Sequence, residues 1–199
     1  MRLMIVGDNP DPGLWDFFSR DKVQGIDAII SCGDLPANYL SFLVTMANVP
    51  VFYVHGNHDG SYDKKPPEGC TCIDGSVVNF KGYRILGLGG SMRYNGGAHQ
   101  YTERQMQRRI QRLWWPLRQG VDILVTHAPA QGLGDMQDPC HLGFSCFVKL
   151  LDRYEPRLFI HGHVHPQYTP TVGRVRSRGG TMIVNGYEKL YWNLPDAPQ

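Results

Sequence analysis

Five short apolar runs along the chain each lead into a glycine- or threonine-led polar cluster, and this repeated pattern is the strongest constraint on its fold. Residues 3–6 (LMIV) lead to Gly7-Asp8, residues 28–31 (AIIS) to Gly33-Asp34, and residues 51–54 (VFYV) to Gly56-Asn57-His58-Asp59. Residues 122–125 (DILV) lead to Thr126-His127, and residues 158–160 (LFI) to His161-Gly162-His163-Val164-His165. Runs this short and β-branched read as buried strands. Helical patterns lie between the early ones. Asp11-Pro12 opens a segment whose Leu14, Trp15, Phe17 and Phe18 supply an apolar face, and Tyr39, Phe42, Leu43 and Met46 recur at helical spacing. A βαβαβ rhythm of this kind implies a parallel sheet covered by helices.

The later chain reads less regularly. Residues 60–75, rich in Pro, Lys, Asp and Gly, are expected to form a surface excursion. Residues 77–80 and 84–88, separated by Lys81-Gly82, read as a hairpin, and a Gly-rich loop over 87–97 follows. A helix is expected over 102–118, opened by a capping box of Thr102 and Gln105, and another over 144–154. No internal repeat or linker divides the chain, so a single domain over 1–199 is expected.

Open α/β sheets place ligand sites at the carboxyl ends of their strands, which is where all five polar clusters fall. Asp8, Asp34, Asn57, His58, Asp59, His127, His163 and His165 together offer carboxylate, amide and imidazole donors. Without a thiolate, that set suits a borderline divalent ion better than a structural zinc site. One histidine at a strand end is ordinarily a hydrogen-bonded structural residue. Five clusters at five strand ends are poorly explained that way.

In order and spacing the blocks GD (7–8), GDLP (33–36), GNHD (56–59), THAP (126–129) and GHVH (162–165) resemble those of the calcineurin-like metallophosphoesterases. The resemblance implies a four-layer α/β sandwich, two mixed β-sheets flanked by α-helices. It also implies metal-dependent hydrolysis of a phosphoester, with a metal-bound hydroxide attacking phosphorus. Asp34 would bridge two ions; Asn57, His127 and His163 would complete the shell of one, and Asp8 and His165 would serve the other. His58 would be the catalytic imidazole, oriented by Asp59, and Asn57 and His58 would also face substrate. One or two divalent ions are implied, manganese first, with iron, zinc and nickel as further candidates. The chain departs from the family in its first block, usually D-x-H: Asp8-Asn9-Pro10 puts a proline where that histidine ligand stands. Asp11 could fill the vacancy, although an N-cap of the helix beginning at Pro12 is its ordinary reading. Purple acid phosphatases replace the same histidine with a tyrosine three residues after the bridging aspartate. Here the nearest is Tyr39, five residues on, expected to face the core.

Candidate substrate residues lie in the loops. Arg93 could fork onto a phosphate, with Tyr94, Asn95 and His99 beside it in the Gly-rich loop, and His141 could line the cleft. His55 and His161 read as packed strand histidines. Composition narrows the partners: 20 Lys plus Arg against 18 Asp plus Glu give a formal charge of +2, too little for a broad nucleic-acid or membrane footprint. The five arginines of the 102–118 segment read as a solvated face, and a nuclease using them is the second enzyme reading. A non-catalytic interaction module with a decayed metal site is a third. No run approaches the ~20 apolar residues of a membrane span. Five cysteines, an odd number, without a secretory signal, point to a reduced, cytoplasmic protein, with Cys70 and Cys72 as free thiols beside a turn. At this length roughly 70–75% of the chain's surface can be buried, which leaves little room for a cap domain and favours a small phosphorylated substrate. Trp114 and Trp115 would anchor an interface if exposed; burial in the core is the ordinary expectation for such a pair.

Overall fold

The computed structural model describes residues 1–168 and 173–195. In chain order the strands and helices are β1 (Arg2–Gly7), α1 (Pro12–Trp15), β2 (Ala28–Ser31), α2 (Ala37–Ala47), β3 (Val51–Tyr53), β4 (Thr71–Cys72), β5 (Ser76–Phe80), β6 (Tyr83–Leu88), β7 (Ser91–Met92) and β8 (Gln100–Tyr101). There follow α3 (Glu103–Arg112), α4 (Trp114–Leu117), β9 (Ile123–Thr126), α5 (Ser145–Tyr154), β10 (Leu158–His161), β11 (Val175–Arg178), β12 (Thr181–Asn185) and β13 (Glu188–Asn193).

The strands form two mixed sheets, ordered β13-β1-β2-β3-β4 and β11-β12-β10-β9-β6-β5, and β7 pairs with β8 beside them. In the first sheet β1, β2, β3 and β4 run parallel and β13 is antiparallel to β1. In the second, β12, β10, β9 and β6 are parallel, with antiparallel β11 and β5 at the edges. The expected hairpin forms as β5 and β6, paired Phe80 to Tyr83 at its turn.

Alternation along each strand divides the apolar residues among three cores, which makes the four layers. Leu3, Ile5 and Ile30 of the first sheet meet Ile85, Val125 and Ile160 of the second between the sheets. Met4, Ile29 and Val51 face outward to Leu14, Leu40 and Leu43, under α1 and α2. Leu86, Leu124 and Phe159 face the opposite way, to Met106, Phe147 and Leu151 of α3 and α5. Every central strand is therefore buried on both faces, as parallel strands require.

Local chemistry fixes the helix starts. Asp11 caps α1, its Oδ1 accepting from Leu14 N at 3.1 Å, and it also pairs with Lys189 at 3.1 Å. It is thus committed as the N-cap. Thr102 and Gln105 form the expected capping box at α3. Tyr39 is fully buried in the outer core.

Four expectations are corrected. The segment after Pro12 is helical only to Trp15, so its periodicity lapses and Phe17 stands 73% exposed while Leu14 is buried. The helix expected over 102–118 breaks at Leu113. Pro116 lacks an amide hydrogen and its ring would collide with the carbonyl of Arg112, so the chain restarts as α4. After the break Leu117 takes the core position, and Trp114 and Trp115 are 61% and 65% exposed rather than buried. Nor is the α3 arginine face wholly solvated: Arg109 turns inward, pairing with Asp74 and donating to the Gly89 carbonyl at 2.8 Å.

The inter-sheet core should carry much of the stability. Ile160→Ala, at a fully buried position, is expected to lower the unfolding free energy by about 2–5 kcal/mol in urea denaturation, and Ile160→Val by about 1 kcal/mol.

Candidate metal centre

Five loops at the carboxyl ends of parallel strands build the site: those after β1, β2 and β3 from one sheet, and after β9 and β10 from the other. They enclose a cleft of about 380 Å³ lined by Asp8, Asp34, Asn57, His58, Tyr94, Cys140, His141, His163 and His165. His127 lies behind the lining, completely buried.

The backbone is bent to bring these side chains together. Asp8, Asp34 and His163 have φ of 65°, 56° and 69°, the left-handed region that non-glycine residues enter at a cost on the order of 1–3 kcal/mol each. Three such residues in one cleft mark the site independently of its sequence blocks. Glycine is required beside them by space: a Cβ on Gly56 would stand 2.0 Å from Asp34 Oδ1, and one on Gly162 would stand 2.6 Å from Asp8 Oδ2.

Hydrogen bonds then orient the donors. His127 Nδ1 lies 2.7 Å from the Cys32 carbonyl, which can only accept, so Nδ1 carries the hydrogen. Its Nε2 is 3.0 Å from Asn57 Oδ1 and 3.3 Å from Asp34 Oδ2. Asn57 is turned this way because its Nδ2 donates to the Tyr94 hydroxyl at 3.2 Å. A nitrogen and two oxygens thus converge, each of which would present a lone pair, and only a cation or a proton can sit among them. His163 donates Nε2–H to the Cys140 carbonyl at 2.7 Å, which leaves Nδ1 as its acceptor. One ligand atom from each of Asp34, His127 and His163 lies within 4.8 Å of the other two.

The carboxylates are compensated unequally. Asp34 Oδ1 accepts from His58 N at 2.8 Å, and Asp8 Oδ1 from His163 N at 2.7 Å. Asp8 Oδ2 is buried without a hydrogen-bond partner among the described residues, a cost a bound cation would relieve. Burial, reinforced by Asp34 and Asp59, pushes the Asp8 carboxyl up to about 7 in spite of the opposing His127 charge. Burial also disfavours charge on Asp34, but His127 outweighs it and holds that carboxyl well below the usual range. Against its own burial, His127 is raised to about 9 by Asp34, whereas burial lowers His163 to about 3. The protein alone therefore keeps one proton on His127 between the oxygens. Orphaned carboxylate, converging lone pairs and the oxygen-nitrogen donor set all fit a divalent ion.

Other expected residues are placed differently. Asp59 does not hydrogen-bond the His58 ring; its Oδ2 accepts from Gly56 N at 2.7 Å and Asp34 N at 2.8 Å, so it braces the two ligand loops. Asp59 is buried, while the adjacent His58 is exposed at the cleft. His165 lines the cleft against the Tyr187 ring, 4.6 Å between centroids, outside the close group of three. Arg93 is exposed and not part of the lining; the loop turns Tyr94 inward in its place. Asn95 is exposed and ties the Gly-rich loop to Gln100. His99 stacks on His55, with centroids 4.3 Å apart. His55 and His161 are packed and hydrogen-bonded, His55 Nδ1 to Asp74 at 3.1 Å and His161 Nδ1 beside the Gly162 carbonyl. His141 reaches the cleft wall with Nδ1 held 2.9 Å from Asp138.

Two contributors escaped the sequence reading. The Cys140 carbonyl is a backbone group with no sequence signature. Asp74, in the excursion expected at the surface, keeps only 9% of its side chain exposed and joins His55, Arg109 and the Gly89 amide beneath the Asn57 loop. An isolated acid before a hairpin gave a weak signal at best.

A two-sheet sandwich with an aspartate- and histidine-lined cleft at its carboxyl edge defines a metallophosphoesterase-type protein. The sequence profile of the calcineurin-like phosphoesterases matches residues 1–167, and the chain belongs to that family. It is 26% identical to metallophosphoesterase domain-containing protein 1 of Homo sapiens, over 80% of this chain and 59% of the human protein. It is also 26% identical to UPF0046 protein K07C11.7 of Caenorhabditis elegans, over 80% of this chain and 61% of that protein. The chain thus spans about three fifths of these curated relatives. Among solved structures, one superposes with a TM-score of 0.69 at 13% identity, covering 96% of this chain and 93% of its own. The protein TT1561 of Thermus thermophilus superposes with 0.61 at 18% identity, covering 92% and 88%. Among the described residues no helix is long and apolar enough to cross a membrane.

Metal binding must displace the His127 proton and ionise Asp8. Apparent affinity for Mn or Zn is therefore expected to rise with pH between 6 and 9, by roughly tenfold per unit for each proton released. The sign follows from His127: raised to about 9, it is protonated throughout the lower part of that window and competes with the ion. Calorimetric titration in buffers of different ionisation enthalpy measures the release, and a pH-independent affinity would contradict the arrangement.

Proposed function

We propose that the protein hydrolyses a small phosphodiester in a metal-dependent reaction at this cleft. The observation that carries the reading is the convergence of Asp34, Asn57, His127 and His163 beside an exposed imidazole, His58, on a wall that substrate can reach. A divalent ion held there would supply charge neutralisation at phosphorus and acidify a water. Asp34, His127, His163 and Asn57 would hold one ion, and Asp8 and His165 a second. Proline at position 10 makes the second site the weaker, and manganese is the first candidate for both.

This chain's own residues would do the rest. His58, exposed on the cleft wall, would protonate the leaving oxygen, a step a metal does not perform. The Tyr94 hydroxyl fixes the Asn57 amide, and the Tyr94 ring offers a surface for a substituent on phosphorus. No Lys or Arg is among the described residues lining the cleft. A phosphodiester carries one negative charge and a monoester close to two at neutral pH, so the single charge is the easier to accommodate. The nuclease reading gains nothing from α3, which contributes none of the cleft lining. Exposure of His58 in the cleft favours an enzyme over a binding module.

With added Mn, kcat/KM for bis-p-nitrophenyl phosphate is expected to exceed that for p-nitrophenyl phosphate by about tenfold or more, equivalent to ~1.4 kcal/mol in the barrier. His58→Ala should lose turnover by about 10²–10⁴-fold while retaining metal, and Asp34→Asn should lose the metal itself, read by elemental analysis. A fully active His58→Ala protein would remove His58 from the chemistry; inactivity toward mono- and diesters across Mn, Zn and Ni would favour the binding module.

A further inference from the structure

The break between α3 and α4 leaves a second feature away from the cleft lining. Three adjoining hollows of about 310, 470 and 500 Å³ run along α3, α4 and the end of α5; the first two share Ile110, Arg153 and Tyr154, and the last two share Gln111 and Trp114. Their floor is apolar, from the half-buried Ile110 and Tyr154, with the core residues Leu117 and Leu150 beneath. Trp114 forms one wall, with Trp115 packed edge-on against it at 5.4 Å. Around this floor stand Arg108, Arg112, Arg118, Lys149 and Arg153, and among the described residues no acidic one lines any of the three hollows. None of those five cations takes part in an ion pair among the described residues. Arg118 and Arg153 lie instead against the rings of Trp115 and Tyr154.

We propose that this groove docks an acidic amphipathic helix of a partner protein. Two tryptophans more than half exposed are the residue type that most often anchors a protein interface, and they cost a monomer solubility while unoccupied. A concave apolar floor accepts side chains at helical i, i+3, i+4 and i+7 spacing. Five uncompensated cations on its rim call for carboxylates on the occupant's flanks and would speed encounter with them. The same cations oppose a two-fold pairing with a second copy, because an isologous contact brings like charges face to face. A membrane surface would engage the tryptophans and the cations but leave Ile110 and Tyr154 between them unmatched, and a phosphodiester backbone gains nothing from that apolar floor.

The test uses a fluorescein-labelled probe helix of about 18 residues, with Leu on one face and Glu on its flanks, against the full chain. Anisotropy should report saturable binding that weakens at high salt. Trp114→Ala/Trp115→Ala and Arg112→Glu/Arg118→Glu should each weaken it by about tenfold or more, as expected for anchor residues and facing charges. All four positions are exposed, so these variants should keep the metal content and ester hydrolysis of the parent chain. Equal binding of a sequence-scrambled peptide overturns the proposal. So does a probe that fails to bind, whether or not the tryptophans then mediate dimerisation in light scattering, association with phosphatidylserine vesicles, or binding to an oligonucleotide.

Discussion

Three carboxylates withdrawn from water at one end of the sandwich set the terms for everything around them. Asp8, Asp34 and Asp59 lie within one loop cluster, and removing a charge from water costs several kcal/mol unless it is met by donors or opposite charge. Backbone amides of His163, His58, Gly56 and Asp34 supply most of those donors, each presented by a turn at a strand end. Turning the amides inward puts Asp8, Asp34 and His163 into left-handed conformations and excludes a Cβ at Gly56. The His127 imidazolium covers part of the remaining charge, while Asp8 Oδ2 stays uncovered. The site is thus built to receive positive charge, and its backbone strain is the cost of that.

Two sheets are needed to hold it. The Cys32 carbonyl, after β2 of one sheet, fixes the tautomer of His127, after β9 of the other. Gly162 N donates to the His127 carbonyl at 2.9 Å, so the loops after β9 and β10 are tied to each other as well. Below the Asn57 loop, the Gly90 amide donates to the His55 carbonyl and Asp74 gathers His55, Arg109 and the Gly89 amide. His55 is raised to about 10, its burial outweighed by Asp74, which makes this brace an ion network that links α3 to the loop carrying His58. Position and orientation at the cleft therefore depend on contacts between segments remote in the chain.

A formal charge of +2 conceals a strong separation of charge. The cleft carries the buried acids and no described lysine or arginine in its lining, whereas the groove along α3 to α5 carries five cations and no described acid. Net charge describes solubility and long-range attraction, and it says little about either surface. One surface is suited to cations; the other, on the proposal made above, is suited to carboxylates.

Much of this was written in the order of residues. Short buried strands, each ending in a fixed polar block, specified the parallel sheets, the carboxyl edge and the side chains that gather there, because strand periodicity and strand-end loops are local properties. Asp11 at Pro12 and Thr102 with Gln105 likewise declared their helix caps, whose hydrogen bonds span three residues. What the sequence could not state was direction. Asp59 bracing amides instead of His58, Tyr94 turned inward instead of Arg93, Asp74 placed under a loop, and the Cys140 carbonyl on His163 each depend on where a distant segment lies. The exposure of Trp114 and Trp115 belongs with them: the expected 102–118 helix ran straight through Pro116, and only packing against the second sheet decided that Leu117 would occupy the core. Local hydrogen-bonding preference determined the elements and the donors; burial of those donors against one another, a property of the folded chain alone, decided which of them face the cleft.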